Sequence, residues 1–367
     1  MKRLRMGAIS FDHGHQYGWT GAAMQLPMVE LVAVAEPDPI QRKAVAERLT
    51  GNDAAMRRLA DKLQGPVRLY DHYRDLLARD DIEAVTISSA NYLHREHAEA
   101  AAAAGKHVFL EKPIATNLDD ATAIVRACER AGVEFCVAYP CRFSAAAIEA
   151  KEMVDRGDIG EIVSMHATNH LRKGTEGWFI DPAKSGGGTI RDHIVHGTDL
   201  MRWFSGVEVD EIYAEADTLA RPDIQVDDVA MLLEKFENGI VGSCDPSWNR
   251  PMTSSKWGDV VLRVLGTEGA IDFDLTGAYL TRTLAGAAEG GEAWESAKVV
   301  TPIQQISYAE SMDVFLIEDF AESILEGRRP LVTGIDGWYG VACIEAAYQS
   351  AREHRMIEVA RYPGNEA

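Results

Sequence analysis

The chain is poor in positive charge, in paired cysteines and in long apolar runs. Thirty-seven Lys and Arg stand against 57 Asp and Glu, a net charge of −20. That balance argues against a broad basic surface for nucleic acid or an anionic membrane, so no such partner is expected. An anionic ligand would have to be held locally, by backbone N–H groups and a few cations. Five cysteines, at 128, 136, 141, 244 and 343, are odd in number and include no C-x-x-C pair. Free thiols in a reducing cytoplasm are the expectation. No run is long and apolar enough to span a membrane, and "MKRLRMGAIS" is too short in apolar residues to be expected as a signal peptide. A further absence sits after the first strand-like run. "ISFDHGHQYGW", residues 9–19, lacks the G-x-G-x-x-G glycines that let a backbone approach a pyrophosphate, and offers Ser10, Asp12, His13, Gly14 and His15 instead.

What is present is an ordinary globular mix, 46% hydrophobic and 26% charged, over 367 residues. That length accommodates two domains of roughly 100–200 residues each. The first part alternates β-rich runs with helical patterns, the signature of a parallel sheet with crossover helices. "LRMGAIS", "VELVAVAE", "VRLY", "IEAVTISS", "KHVFLEKP" and "VEFCVAYP" read as strands. Helices are expected over 18–26, 39–49, 54–63, 73–79 and 94–104, and over 117–131 with Gly132 as the C-cap. Beyond about residue 145, a helix over 145–156 leads to an extended segment. A Gly-rich turn and a helix from about 189 to 204 come next, then alternating strands from 207 to about 300 that read as antiparallel. Helices over 308–326 and 337–352 close the pattern. The fold class expected is an α/β Rossmann-type dinucleotide-binding domain over 1–143, followed by an α+β domain over 144–367 with a large, mostly antiparallel open sheet. The second domain would serve substrate binding and oligomerisation, and its last helices could pack back on the first. "LAGAAEGGEAW", 284–294, is expected as a hairpin or loop.

Several residues stand where chemistry would need them. Glu36, at the end of the second strand, can accept hydrogen bonds from ribose hydroxyls. No arginine immediately follows it to meet a 2′-phosphate, so NAD is favoured over NADP. Asp38 reads as a helix N-cap. Asp192 and His196 are four apart on a helix and share a face. Lys112 stands at a strand end, where parallel sheets bind ligands. Read singly, each has an ordinary alternative: a Lys-Pro is usually just a strand end, and a helical Asp/His pair is usually solvated surface.

Together the motifs carry more. "SSANYLHREHAEAAAAAGKHVFLEKP" holds Ser89, Asn91, His94, Glu111, Lys112 and Pro113; "YPCRF" holds Arg142; "SGGGTIRDHIVHGTDLMRWFSG" holds Asp192, His196 and Asp199. With "GRRPLVTGIDGWYGVACIEAAYQSARE" they run in order along nearly the whole chain. This pattern resembles the glucose–fructose oxidoreductase/inositol dehydrogenase (Gfo/Idh/MocA) family. The resemblance implies an NAD(P)-dependent oxidoreductase that moves a hydride between a nicotinamide and a secondary alcohol or ketone of a sugar, sugar derivative or cyclic polyol such as inositol. It implies Lys112, Asp192 and His196 as catalytic: His196 for acid–base work, Lys112 to stabilise alkoxide character, Asp192 to orient the pair. Cofactor contacts are expected from Ser10, Phe11, Asp12, His13, Glu36, Ser89, Asn91, His94, Glu111 and Lys112. Asp12 is expected to turn its carboxylate away from the phosphates.

Substrate contacts are expected from His15, Tyr17, Arg142, His170, Trp178 and His193. Arg142 could instead brace the interdomain cleft, Asp199 could be structural, and Trp178 and Trp257 could be packing. The histidines at 13, 15, 170, 193 and 196 raise the idea of a zinc site. The family works without metal and no compact ligand motif is present, so none is expected. The partner expected is a small sugar or polyol, in a homodimer or homotetramer. A catalytically silent dinucleotide- or sugar-sensing regulator on the same fold is the alternative.

Overall fold

The computed structural model describes residues 2–49, 65–172, 176–251, 253–254, 258–275, 279–284, 298–302 and 308–364. The helix expected over 54–63, Trp257 and all of the 284–294 loop but Leu284 lie outside them. The chain divides into two compact units: Met1–Ala138 with Ala309–Trp338, and Tyr139–Tyr308 with Tyr339–Ala367. The second unit thus begins before the boundary expected at 143/144, and 309–338 group with the first.

In the first unit, β1 (Leu4–Ile9), β2 (Val29–Ala35), β3 (Arg68–Tyr70), β4 (Ala84–Ile87), β5 (His107–Leu110) and β6 (Phe135–Val137) form a sheet in the order 3-2-1-4-5-6. Each neighbouring pair is parallel. The central strands are buried along their lengths, β4 throughout, which is why they read as continuous apolar runs. The strand order reverses between β1 and β4, the switch point outside which doubly wound sheets hold their ligands.

The helices of this unit are α1 (His15–Gln25), α2 (Pro39–Leu49), α3 (Tyr73–Leu77), α4 (His94–Ala103) and α5 (Leu118–Ala131). α5 shows sequence logic at both ends. The Asn117 side chain accepts from Asp120 N, and Gly132 ends the helix at φ 66°. α1 begins at His15, three positions before the expected start at Gly18. A contact distant in sequence accompanies this: the Gln16 amide donates to Thr86 Oγ1 of β4 at 2.8 Å and holds Gln16 in the helix. His15 therefore rides on the first helical turn.

The unit's apolar core joins Trp19 of α1 edge-on to Phe109 of β5 at 4.8 Å, and Phe109 to Phe320 at 5.5 Å. Gly18 leaves room for Asp313: a Cβ there would lie 2.1 Å from its carboxylate, which would have to move.

The second unit carries α6 (Ala145–Asp155), β7 (Ile162–Arg172), α7 (Pro182–Ser185), α8 (Thr189–Ser205), β8 (Val209–Asp217), β9 (Val229–Phe236), β10 (Val241–Arg250), β11 (Gly258–Gly266), β12 (Gly269–Asp274), β13 (Tyr279–Leu284), β14 (Lys298–Pro302) and β15 (Ile357–Glu358). The long closing helices are α9 (Tyr308–Glu326), with the first unit from Ala309 on, and α10 (Gly334–Glu353), within which the division at 338/339 falls. Nine strands form one sheet in the order 14-13-12-11-7-10-9-8-15. It is mostly antiparallel, as expected. β7 and β10 depart from this by pairing parallel at its centre. α8 packs on one face, buried along nearly its whole length. The other face exposes Met231, Leu233, Val241 and Leu265, each at least half exposed. Among the described residues, no helix is long and apolar enough to cross a membrane.

α10 starts hard against β6: a Cβ on Gly334 would sit 2.2 Å from the Phe135 ring. Gly334→Ala is expected to cost about 1–3 kcal/mol through overpacking. A fall in the urea midpoint with an unchanged slope checks it.

Candidate active site

The loop after β1 shows how a chain without the expected glycines still turns. Ser10 adopts φ 61°, the left-handed conformation in which glycine is the usual occupant. Its N–H donates to Ala35 O and its hydroxyl accepts from Asp12 N. Side chains tie down the rest of the loop. Phe11 N donates to Glu36 Oε2 at 2.7 Å and Asp38 N to Oε1 at 2.9 Å. Glu36 is fully buried. Burial pushes its pKa up, against the pull of those two N–H donors. The carboxylate expected to face a ribose thus shapes the loop from beneath. Arg42 donates to Glu36 O and Pro37 O, placing a cation at the end of β2 that reading immediate neighbours missed. The Asp12 carboxylate accepts from Ala90 N at 3.1 Å, turned toward the β4–α4 loop. Tyr17 packs on Phe11 at 4.9 Å and lies under Arg48.

These features fit a dinucleotide. The strand order has its switch point here, the first glycine position keeps its backbone conformation, and space beside Gly14 at the start of α1 is open for 4 Å.

Around the end of β5, His15 Nδ1 lies 3.1 Å from Glu111 Oε2, and His13 Nδ1 3.9 Å from the same oxygen. The two imidazoles are 4.1 Å apart, centroid to centroid. Glu111 has no exposed surface, and its Oε1 accepts from Lys112 N. Burial raises its pKa, and the charges of His13, His15 and Lys112 more than reverse this, to about 2. For His15, partial burial of the ring lowers the pKa, and the Glu111 carboxylate beside it more than offsets this, a net rise. Asp313, carried on α9, is pushed up to about 6, chiefly by burial. Lys112 is buried and joined to Pro113 by a cis peptide. His94, fully buried, has its ring nitrogens 2.9 Å from Pro113 O and from Ser89 O. It clamps the β4–α4 turn, where Asn91 begins a short 3-10 helix, onto the segment after Lys112.

In the second unit, Arg142 grips Asp199 through two bonds, Nε–Oδ2 at 2.8 Å and Nη2–Oδ1 at 2.5 Å, both side chains buried. Both residues lie within the second unit, so the pair ties parts of that unit together. His196 Nδ1 lies 3.6 Å from Cys141 Sγ, a neighbour not singled out in the sequence although it adjoins Arg142 in "YPCRF". Asp192 lies 2.9 Å from Nε2 of His193, its neighbour in sequence. His193 meets Trp248 edge-on at 6.1 Å. His170 stands between Asp245 and Asp259. Trp178 stacks on Phe179.

The Gly-rich turn is occupied by the protein itself. Gly188 N donates to Asp227 Oδ1 and Ile190 N to Oδ2, capping α8, while Tyr348 OH donates to Asp227. A Cβ on Gly188 would lie 1.8 Å from Asp227 O. Nothing near the turn in sequence announces either partner.

Known proteins share both halves of this chain. A family profile described as "Oxidoreductase family, NAD-binding Rossmann fold" matches residues 13–139, and one described as "GFO/IDH/MocA C-terminal domain" matches 147–272. An uncharacterized oxidoreductase of Bacillus subtilis, YrbE, is 33% identical over 210 residues, 55% of this chain and 58% of that protein. The chain thus spans just over half the length of that relative. The scyllo-inositol 2-dehydrogenase (NAD(+)) of Bacillus subtilis is 27% identical over 97% of this chain and 95% of its own. A solved structure of levoglucosan dehydrogenase in complex with NADH superposes with a TM-score of 0.84 at 25% identity, covering 98% of this chain and all of that one.

Removing Asp199 would leave the Arg142 guanidinium buried without its bidentate partner. Asp199→Ala is expected to cost about 3–5 kcal/mol. Chemical denaturation of the variant beside the wild type measures it.

Proposed function

Because the chain belongs to the GFO/IDH/MocA family of NAD-binding oxidoreductases, we propose that it oxidises a secondary alcohol of a sugar, sugar derivative or cyclic polyol, or reduces the matching ketone, with NAD as the preferred cofactor. The observation that carries this reading is a buried lysine, Lys112, at the carboxyl end of a central strand in a Rossmann sheet. Relatives named as inositol dehydrogenases support the substrate class.

Bound NAD supplies the acceptor for the hydride leaving the carbinol carbon. The chain's own residues handle the oxygen and its proton. His196 takes the hydroxyl proton, since an imidazole titrates near working pH. Lys112 donates a hydrogen bond to the reacting oxygen and stabilises its developing negative charge. Asp192 acts through His193, holding that ring for a substrate hydroxyl. Ser10, Phe11 and Asp12 at the loop, with Ser89 and Asn91 at the β4 end, would hold the dinucleotide, and His94 would act through the turn it clamps. Glu36 acts on it through the loop it supports.

The exposed apolar face with Met231, Leu233, Val241 and Leu265 supports a homodimer or homotetramer. Five buried free thiols support a reducing cytoplasm.

The test is turnover of NAD with a panel of sugars and inositols. His196→Ala and Lys112→Ala are each expected to lower kcat by roughly 10²-fold or more. His196→Ala should leave NAD affinity, read by calorimetry, nearly unchanged. Near-normal turnover in His196→Ala, or tighter binding of NADP than of NAD, would refute the respective assignment.

A further inference from the structure

The H-x-H loop and Glu111 bring three donors together in a way that ribose or phosphate recognition does not require. The nearest donor atoms of His13, His15 and Glu111 all lie within 4.8 Å of one another. Bonds of about 2.0–2.1 Å around a tetrahedral zinc-type ion put neighbouring donors roughly 3.3 Å apart. The pairs His15 Nδ1–Glu111 Oε2 at 3.1 Å and His13 Nδ1–Glu111 Oε2 at 3.9 Å bracket that spacing. We propose that His13, His15 and Glu111 form a binding site for a divalent transition-metal ion of the zinc class.

Three further observations support the assignment. The carboxylate is aimed: Oε1 accepts from Lys112 N, while Oε2 faces both imidazoles. A ligating carboxylate is ordinarily held in this way by an outer hydrogen bond. Access is one-sided, because the His15 side chain is 42% exposed, that of His13 11% and that of Glu111 not at all. An ion can enter over His15 and come to rest against a buried oxygen. Two imidazoles and one carboxylate are also a donor set for zinc or ferrous iron rather than for magnesium or calcium, which take oxygen ligands.

His15 N donates to His13 Nδ1 at 3.2 Å. Ligation through that nitrogen replaces this long bond and closes the 3.9 Å edge. Three protein ligands leave a fourth position for water or a ligand oxygen, the form of an open rather than a closed site.

The inference stands apart from the oxidoreductase reading, since metal content is measured without turnover. Full-length, tag-free protein, stripped with chelator and without nucleotide, is titrated with ZnCl₂ by calorimetry and with CoCl₂ by visible absorption. One equivalent is expected to bind, with the d–d bands of a low-coordinate cobalt site. His15→Ala, at a half-exposed position, is expected to weaken binding at least tenfold, as is Glu111→Gln. Circular dichroism confirms that each variant is folded. No stoichiometric binding by the wild type overturns the proposal. So does binding unchanged in His15→Ala, or a thiolate-to-cobalt charge-transfer band assigning the ion to the cysteines. A plain His15–Glu111 ion pair would give the first of these results.

Discussion

A carboxylate with no exposed surface is costly unless charge or hydrogen bonds compensate it, and Glu111 is the point on which the first unit's ligand-facing end is built. It sits where β5 gives way to Lys112, and its partners arrive from the loop after β1. His15 reaches it because α1 starts early, and α1 starts early because Gln16 is pulled in by Thr86 of β4. β1, β4 and β5 thus meet through a few polar side chains at the edge of an apolar sheet. Where related folds place glycine in this turn, this chain places Ser10 in the left-handed conformation and ties the loop with side-chain hydrogen bonds.

The same substitution of side-chain bonds for glycine runs through the loop. Glu36 caps it from below, Asp12 reaches across to Ala90, and Ser10 bears a conformation that costs an L-residue something. Such a turn is held by many weak ties, so its shape is set by the ends of β2 and β4 together.

How much of this was legible depended on how local each cause is. β4 and β5 were readable because strands buried on both faces write an unbroken apolar run. α5 was readable because Asn117 and Gly132 cap it within its own few residues. The family motifs were readable because they lie in compact stretches such as "KHVFLEKP". The start of α1 was not, since the Gln16–Thr86 bond joins residues 70 apart in sequence. Asp227 and Tyr348, which fill the Gly-rich turn, come from far along the chain. Asp313 faces His15 from a helix some 300 residues away in sequence. Asp192 and His196 share a helix face, but a carboxylate can also reach its immediate neighbour, and spacing alone does not rank His193 against His196.

Gly197, directly after His196, has Ala167 and Cys244 where its Cβ would go, at 2.8 and 3.0 Å. α8 therefore rests on β7 and β10 with nothing between but small groups. The thickness of that contact sets the height of His196 above the sheet. Ala167 and Cys244 behave as shims: a larger side chain at either would lift the helix rather than fill a hole, and move an imidazole it does not touch. Sequence drift in these strands is thereby tied to the accuracy with which the proposed proton-handling group is positioned, and their small residues are under a constraint that their own chemistry does not reveal.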